Sequence, residues 1–333
     1  MHLSRPLGGL AAIGALLCGA CQNTNVSLSP QQQAQLEHRA MSLLLRAAQD
    51  GIGPVRANAI EALVNLAPDA NLPVFREAVT SAAPLVRFAG CVALGQARDT
   101  ASRKALRRLI EADPDPRVRL AAAFAAYRCG EADSGRVLVR TLSDHPDEKL
   151  RADAAYLIGE LGEPKALKRL SLAAARENSG YVAVQIESAM AKLGDRASLD
   201  RLMEYTLKSD AVTVLLALQT LVELAEPTTR KALEYRLHSE ADYLQARLIA
   251  ARALGRLGVD EGYQLALDSL TFKAESDNET MQVRSNAALA LGAIGQTRAL
   301  PALQRLAERE DDTRTQVAAC YAICRIIKAS SQR

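Results

Sequence analysis

Small and apolar residues return along this chain at a fixed interval. The segments VRANAIEALVNLA, VRFAGCVALGQAR, VRLAAAFAAYRCG, LRADAAYLIGELG, ARLIAARALGRLG and VRSNAALALGAIG align on Arg56, Arg87, Arg119, Arg151, Arg247 and Arg284. Weaker copies align at Ala183, Val214 and Gln316, so successive anchors lie 31, 32, 32, 32, 31, 33, 37 and 32 residues apart. Three positions after the anchor the column reads Ala59, Gly90, Ala122, Ala154, Ile186, Ala217, Ala250, Ala287 and Ala319. Seven after, it reads Leu63, Leu94, Ala126, Ile158, Met190, Leu221, Leu254, Leu291 and Ile323, and ten after it is again mostly leucine or isoleucine. Offsets of 3, 7 and 10 trace one face of an α-helix. That face is expected to be buried, and its small residues let neighbouring helices approach.

At offset 11 stand Gly130, Gly162, Gly194, Gly258 and Gly295, where a left-handed residue would end the helix. Asp115 and Asp147, four before their anchors, are natural N-caps, with Pro116 just inside. A second helix follows each cap, opened near its first turn by Pro164 or Pro301. Two antiparallel helices per repeat, stacked about nine times, predict an all-α fold, an α-solenoid over residues 52–328. Residues 31–50 read as an N-terminal capping helix and 329–333 as a polar tail. The widest spacing puts residues 268–282 partly in a longer loop.

The shared motif V-R-x-x-A-A-x-A-L-G-x-L-G resembles the HEAT repeats named after phycobilisome lyases, over nearly the whole region from residue 52 to 328. The resemblance implies that the anchor arginines tie adjacent repeats together at the helix starts, and that the second helices line the concave surface. It leaves function open, because HEAT arrays serve as scaffolds, nucleic-acid binders, lyases and hydroxylases.

The N-terminus carries an address. Leu7–Leu17 is an apolar run of 11 residues after a short start containing Arg5, too short to span a bilayer as a helix and proportioned like a signal peptide. The following Cys18, Gly19, Ala20 and Cys21 resemble the bacterial lipobox, which implies removal of residues 1–20 and a lipid on Cys21. Cys18 departs from the usual leucine there, and ordinary secretory cleavage after Ala20 is the alternative. Gln22 rather than Asp implies, for a Gram-negative cell, an outer-membrane lipoprotein facing the periplasm. Residues 21–30 would form a flexible tether of at most about 30 Å.

Composition adds limits. Aromatics are 4% of residues and tryptophan is absent, so the core must come from small aliphatic side chains, which favours packed helices over a sandwich or barrel. A net charge of +3 among 41 basic and 38 acidic residues gives no general attraction to nucleic acid, and none is expected as a partner. His38, His145 and His238 are isolated, and Cys91, Cys129, Cys320 and Cys324 stand in core columns, so no catalytic residue, cofactor or metal site is expected. One local pattern remains. At offset 17, on the second helices, stand Lys104, Arg136, Lys168 and Lys231, with Arg107, Arg108 and Arg140 nearby. They predict a basic stripe for an acidic peptide, another protein or an anionic glycan, against the alternative of an ordinary solvated face. The sequence thus predicts a monomeric, membrane-tethered, non-catalytic protein-interaction scaffold of the bacterial envelope, binding a partner along the solenoid groove. An enzyme or enzyme accessory of the HEAT lyase kind is the alternative, as is a nucleic-acid-binding array if the chain is not exported.

Overall fold

The computed structural model describes residues 28–208, 210–239, 243–309 and 312–331. The expected signal segment, Cys21 and most of the expected tether lie outside them. A first helix, α1 (Pro30–Asp50), precedes eight pairs: α2 (Gly53–Leu66) with α3 (Leu72–Ala78), α4 (Pro84–Gln96) with α5 (Arg103–Ala112), α6 (Pro116–Arg128) with α7 (Gly135–Asp144), α8 (Glu148–Leu161) with α9 (Leu167–Ala174), α10 (Gly180–Lys192) with α11 (Arg196–Tyr205), α12 (Ala211–Leu224) with α13 (Arg230–His238), α14 (Leu244–Arg256) with α15 (Tyr263–Ser269), and α16 (Asp277–Ile294) with α17 (Leu300–Ala307). The last element among the described residues is α18 (Thr313–Ser331). None of these helices is long and apolar enough to cross a membrane.

The even-numbered helices are the anchored ones, and each packs against the next. They are buried almost all round: in α6 Val118 and every residue from Leu120 to Ala126 are buried. The second helices bury one narrow stripe, which in α5 is Leu106 alone and in α9 Leu170 alone, and they touch one another little. The anchored helices therefore form the inner wall and the second helices the outer. This reverses the expectation that the second helices line the concave side. The cause is side-chain size: only the small-residue helices can crowd at the smaller radius.

Glycine at offset 8 shows the crowding directly. A Cβ on Gly95, Gly159, Gly255 or Gly292 would stand 2.7–2.9 Å from backbone atoms of the next inner helix, at Ala125, Ala189, Ile294 and Ala322. These are the four junctions where inner helices pack most closely. At offset 11 all five glycines have φ between 70° and 99°, and Arg98 (52°) and Ala225 (49°) adopt the same left-handed cap without glycine. Asp115 and Asp147 cap α6 and α8, accepting from the N–H of Arg117 and Lys149.

The anchors clip three helix ends at once. Arg87 donates from Nε and Nη2 to Asp113 at 2.7 and 2.8 Å and from Nη1 to the carbonyls of Ser81 and Ala82. Arg151 repeats this with Glu177, His145 O and Pro146 O. Arg119 reaches Asp113 O, and Arg56, Arg247 and Arg284 reach the carbonyls of Ala48, Leu237 and Phe272 in the turn before them. At the weakest copy, Gln316 makes the same bond to Ala307 O at 2.7 Å.

The array closes on itself. Inner helix α18 packs against both α2 and α1, and Lys328 Nζ donates to Leu66 O at 3.1 Å across 262 residues of sequence. The helix expected as an N-terminal cap is thus the missing outer partner of α18. Its buried stripe, Leu36, Ala40, Leu44 and Ala48, faces the seam. In sequence α1 is continuous with the first pair only; its second neighbour, α18, begins 263 residues after α1 ends. Two boundaries also differ. Residues 277–282 are the first turns of α16, so only 270–276 loop out, and Ala329–Ser331 continue α18 instead of starting a tail.

Two expectations follow. Leu44, fully buried in α1, should behave as a mid-ring core leucine, so that Leu44→Ala costs about 2–5 kcal/mol in urea denaturation; a cost of only a few tenths would mean a fraying cap. Arg87→Ala leaves Asp113 buried and unpaired and should cost about 3–5 kcal/mol. Burial raises the Asp113 pKa, but the bonds from Arg87 and the Asp115 N–H outweigh it and hold the carboxyl below its usual value; Glu177, bonded by Arg151, is likewise lowered. Stability from these groups is complete above their unfolded pKa values of about 4 and is lost as pH falls through the lower folded values. Urea midpoints should drop on acidification below about pH 4, and Arg87→Ala should make that drop shallower.

Candidate functional site

Closure makes a lumen. Offsets 5 and 9 of the inner helices, opposite the core face, point into it. At offset 5 the ring carries Glu61, Tyr156, Gln219, Arg252 and Tyr321, and at offset 9 Asn65, Gln96, Glu160, Glu223 and Arg256, all bordering a cavity of about 490 Å³. The small inner helices that permit close packing thus also bring side chains from six helices to one space.

Part of the lumen is internally satisfied. Lys192 Nζ, 14% exposed, bonds Glu160 Oε1 at 2.7 Å and also Glu223, and sits 5.2 Å from the centre of the Tyr156 ring. Gln96 reaches Glu160 from α4, past the intervening α6. Burial opposes the charge on Lys192, but Glu223 and Glu160 outweigh it and raise its pKa. Burial and the same carboxylates push the Tyr156 hydroxyl well above its ordinary value. Glu61 and Arg252 are different. Neither is in an ion pair or side-chain hydrogen bond among the described residues, and the Arg252 Nε is sealed from solvent without an acceptor.

The sequence reading missed this cluster because it followed the core columns. Reading offsets 5 and 9 would have shown polar and aromatic residues where a solenoid's inner wall must face something, but only closure makes those positions converge.

The predicted basic stripe lies on the outer wall, not in a groove. Lys104, Arg107 and Arg108 are exposed on α5, Arg136 and Arg140 on α7, Lys168 on α9 and Lys231 on α13. Arg107 pairs with Glu131 at 3.0 Å and Arg136 with Asp133 at 3.1 Å. The outer helices splay, so the column does not form one continuous strip. Of its members only Arg136 and Arg140 border a cleft, one of two adjoining clefts of about 680 and 750 Å³ between α7 and α9 that share Ser143, Asp144 and Arg169. Arg136 and Arg140 line one, Arg176 and His145 the other. Arg140, Arg169 and Arg176 are exposed and make no ion pair among the described residues. The His145 Nδ1 accepts from the Asp147 N–H at 3.1 Å.

The remaining expected residues are structural. Cys91, Cys129, Cys320 and Cys324 are buried free thiols, with Cys320 and Cys324 pushed up to about 12 by burial. Cys21 lies outside the described residues.

A family model described as HEAT repeats matches residues 40–127, 109–191 and 232–324. Similar solved structures include human deoxyhypusine hydroxylase in complex with glycerol, 18% identical over 90% of this chain and 100% of that one, TM-score 0.38. The CpcE–CpcF complex of phycocyanin lyase from a Nostoc species is 15% identical over 78% of this chain and 94% of that one, TM-score 0.41. The Escherichia coli protein YibA is 14% identical over 88% and 96%, TM-score 0.34. None of these transfers an activity. No protein of curated function matches the chain in sequence.

Replacing Lys192 by Met leaves Glu160 and Glu223 facing each other without a cation. The expected loss is about 3 kcal/mol, measured by urea denaturation, whereas Arg136→Ala on the outer wall should stay within about 0.5 kcal/mol of the parent.

Proposed function

This chain belongs to the HEAT-repeat family, and from that premise we propose that it is a non-catalytic binding ring, tethered to a bacterial envelope membrane, that holds an acidic segment of a partner protein in the α7–α9 cleft. The observation that carries the reading is that Arg140, Arg169 and Arg176, in no ion pair among the described residues, line two adjoining outer clefts that share Arg169, with exposed Leu172 in the one lined by Arg176. Arginine forks recognise carboxylates in pairs, and a basic cleft raises the rate at which an acidic partner finds it. The lumen, at about 490 Å³, is the size of a small-molecule pocket, so a macromolecular partner belongs outside.

The tether fits such a role. Helices α1 and α2 are antiparallel across Gly51 and Ile52, so Pro30 starts α1 at the rim where the inner helices end. A lipid on Cys21 would hold that rim toward the bilayer and leave the outer wall free. A second reading, an enzyme accessory with its ligand in the same cleft, is favoured by His145 on the cleft wall.

Reversing Arg140, Arg169 and Arg176 to Glu together should abolish crosslinking to the native partner in membranes while leaving the melting temperature within a few degrees. Unchanged crosslinking would sink the cleft, and loss of function on His145→Ala alone with the partner still bound would favour the accessory reading. Mass spectrometry of the N-terminal peptide should find a diacylated or triacylated Cys21; an intact Met1 removes the tether.

A further inference from the structure

The lumen carries an unspent pair of charges. Its wall holds three acids, Glu61, Glu160 and Glu223, and four bases, Lys192, Arg252, Arg256 and Arg314. Lys192 consumes Glu160 and Glu223. Glu61 on α2 and Arg252 on α14 border the same two adjoining cavities, of about 490 and 210 Å³, without coming within ion-pair distance of each other. Glu61 is reached by water but ringed by protein, and among the described residues nothing donates to its carboxylate. Among the same residues nothing accepts from the Arg252 guanidinium, whose Nε is fully sealed. The same two cavities are lined by Gln219 and Asn58, amides with no side-chain partner among the described residues, and by Tyr321.

We propose that the lumen binds a small zwitterion, a free amino acid or short peptide, with its ammonium on Glu61 and its carboxylate on Arg252. An enclosed site tolerates added charge only when that charge is paired. A lone anion or cation would answer only one of the two groups, whereas a zwitterion meets Glu61 and Arg252 together and leaves neither of its own charges unpaired. Burial pushes the Glu61 pKa up, and Arg252 is pulled down by its own burial; a ligand ammonium and carboxylate relieve both. The amides supply donors and acceptors for a peptide bond, and Tyr321 with Val92 and Phe88 offers apolar cover for a side chain. The site is separate from the α7–α9 cleft, so the two proposals stand or fall independently.

The test is isothermal titration calorimetry of the intact protein with glycyl-L-phenylalanine and L-phenylalanine, each compared with its N-acetylated and its C-amidated form. The free zwitterions should bind with Kd at or below about 1 mM, and blocking either end should weaken binding by about tenfold or more. Glu61→Gln should erase the difference between free and acetylated probes, and Arg252→Gln that between free and amidated probes. If either variant fails to fold, the blocked probes against the native protein decide alone. Binding of neither zwitterion at about 1 mM, or blocked probes that bind as well as the parents, overturns the proposal. The triple reversal in the α7–α9 cleft should leave these titrations unchanged.

Discussion

Everything in this molecule depends on how closely the inner helices can approach. Among the described residues nine helices share the inner circumference, and where glycine stands at offset 8 the neighbour's backbone occupies the space a Cβ would need. Glycine in a helix interior costs about 0.5–1 kcal/mol relative to alanine, and here the cost is offset by backbone-to-backbone packing that no larger residue allows. Where the position is instead Tyr127, Ala191 or Cys324, the adjacent inner helices pack less closely. Close approach fixes which helix set is inside, and the inside set then determines what faces the lumen.

The second constraint is polar. Each repeat turn exposes carbonyls at the end of one helix and N–H groups at the start of the next. The anchor arginine answers the carbonyls with one nitrogen, and in Arg87 and Arg151 it fixes an acid of the following turn with the others. Because Asp113 is bonded by Arg87 while its own carbonyl accepts from Arg119, one repeat's clip is built partly from the next. Nearest-neighbour coupling of this kind is what makes a solenoid cooperative. Ring closure adds a contact of a different order, since α1 pairs with α18 only after the whole array has formed.

The candidate sites differ in how far they could be read from residues alone. The basic residues of the outer wall were visible as a column at offset 17, and the structure keeps them on the second helices, but it spreads them round an outer circumference where only Arg136, Arg140 and their neighbours Arg169 and Arg176 meet. Glu61 and Arg252 looked like two ordinary charges nearly two hundred residues apart. They share a cavity because the chain returns to its start, and periodicity carries no information about whether an array returns.

The sequence by itself determined the repeat, the helix pair within it, the left-handed caps at Gly130, Gly162, Gly194, Gly258 and Gly295, and the role of the anchor arginines, because each is a local relation within one turn or between adjacent turns. The tertiary structure alone decided that the array closes, that α1 is the ninth outer helix, and that the anchored helices line a lumen. Those outcomes depend on the angle between successive repeats, a small rotation set by side-chain volumes at every junction and summed round the ring, and no single repeat contains that sum.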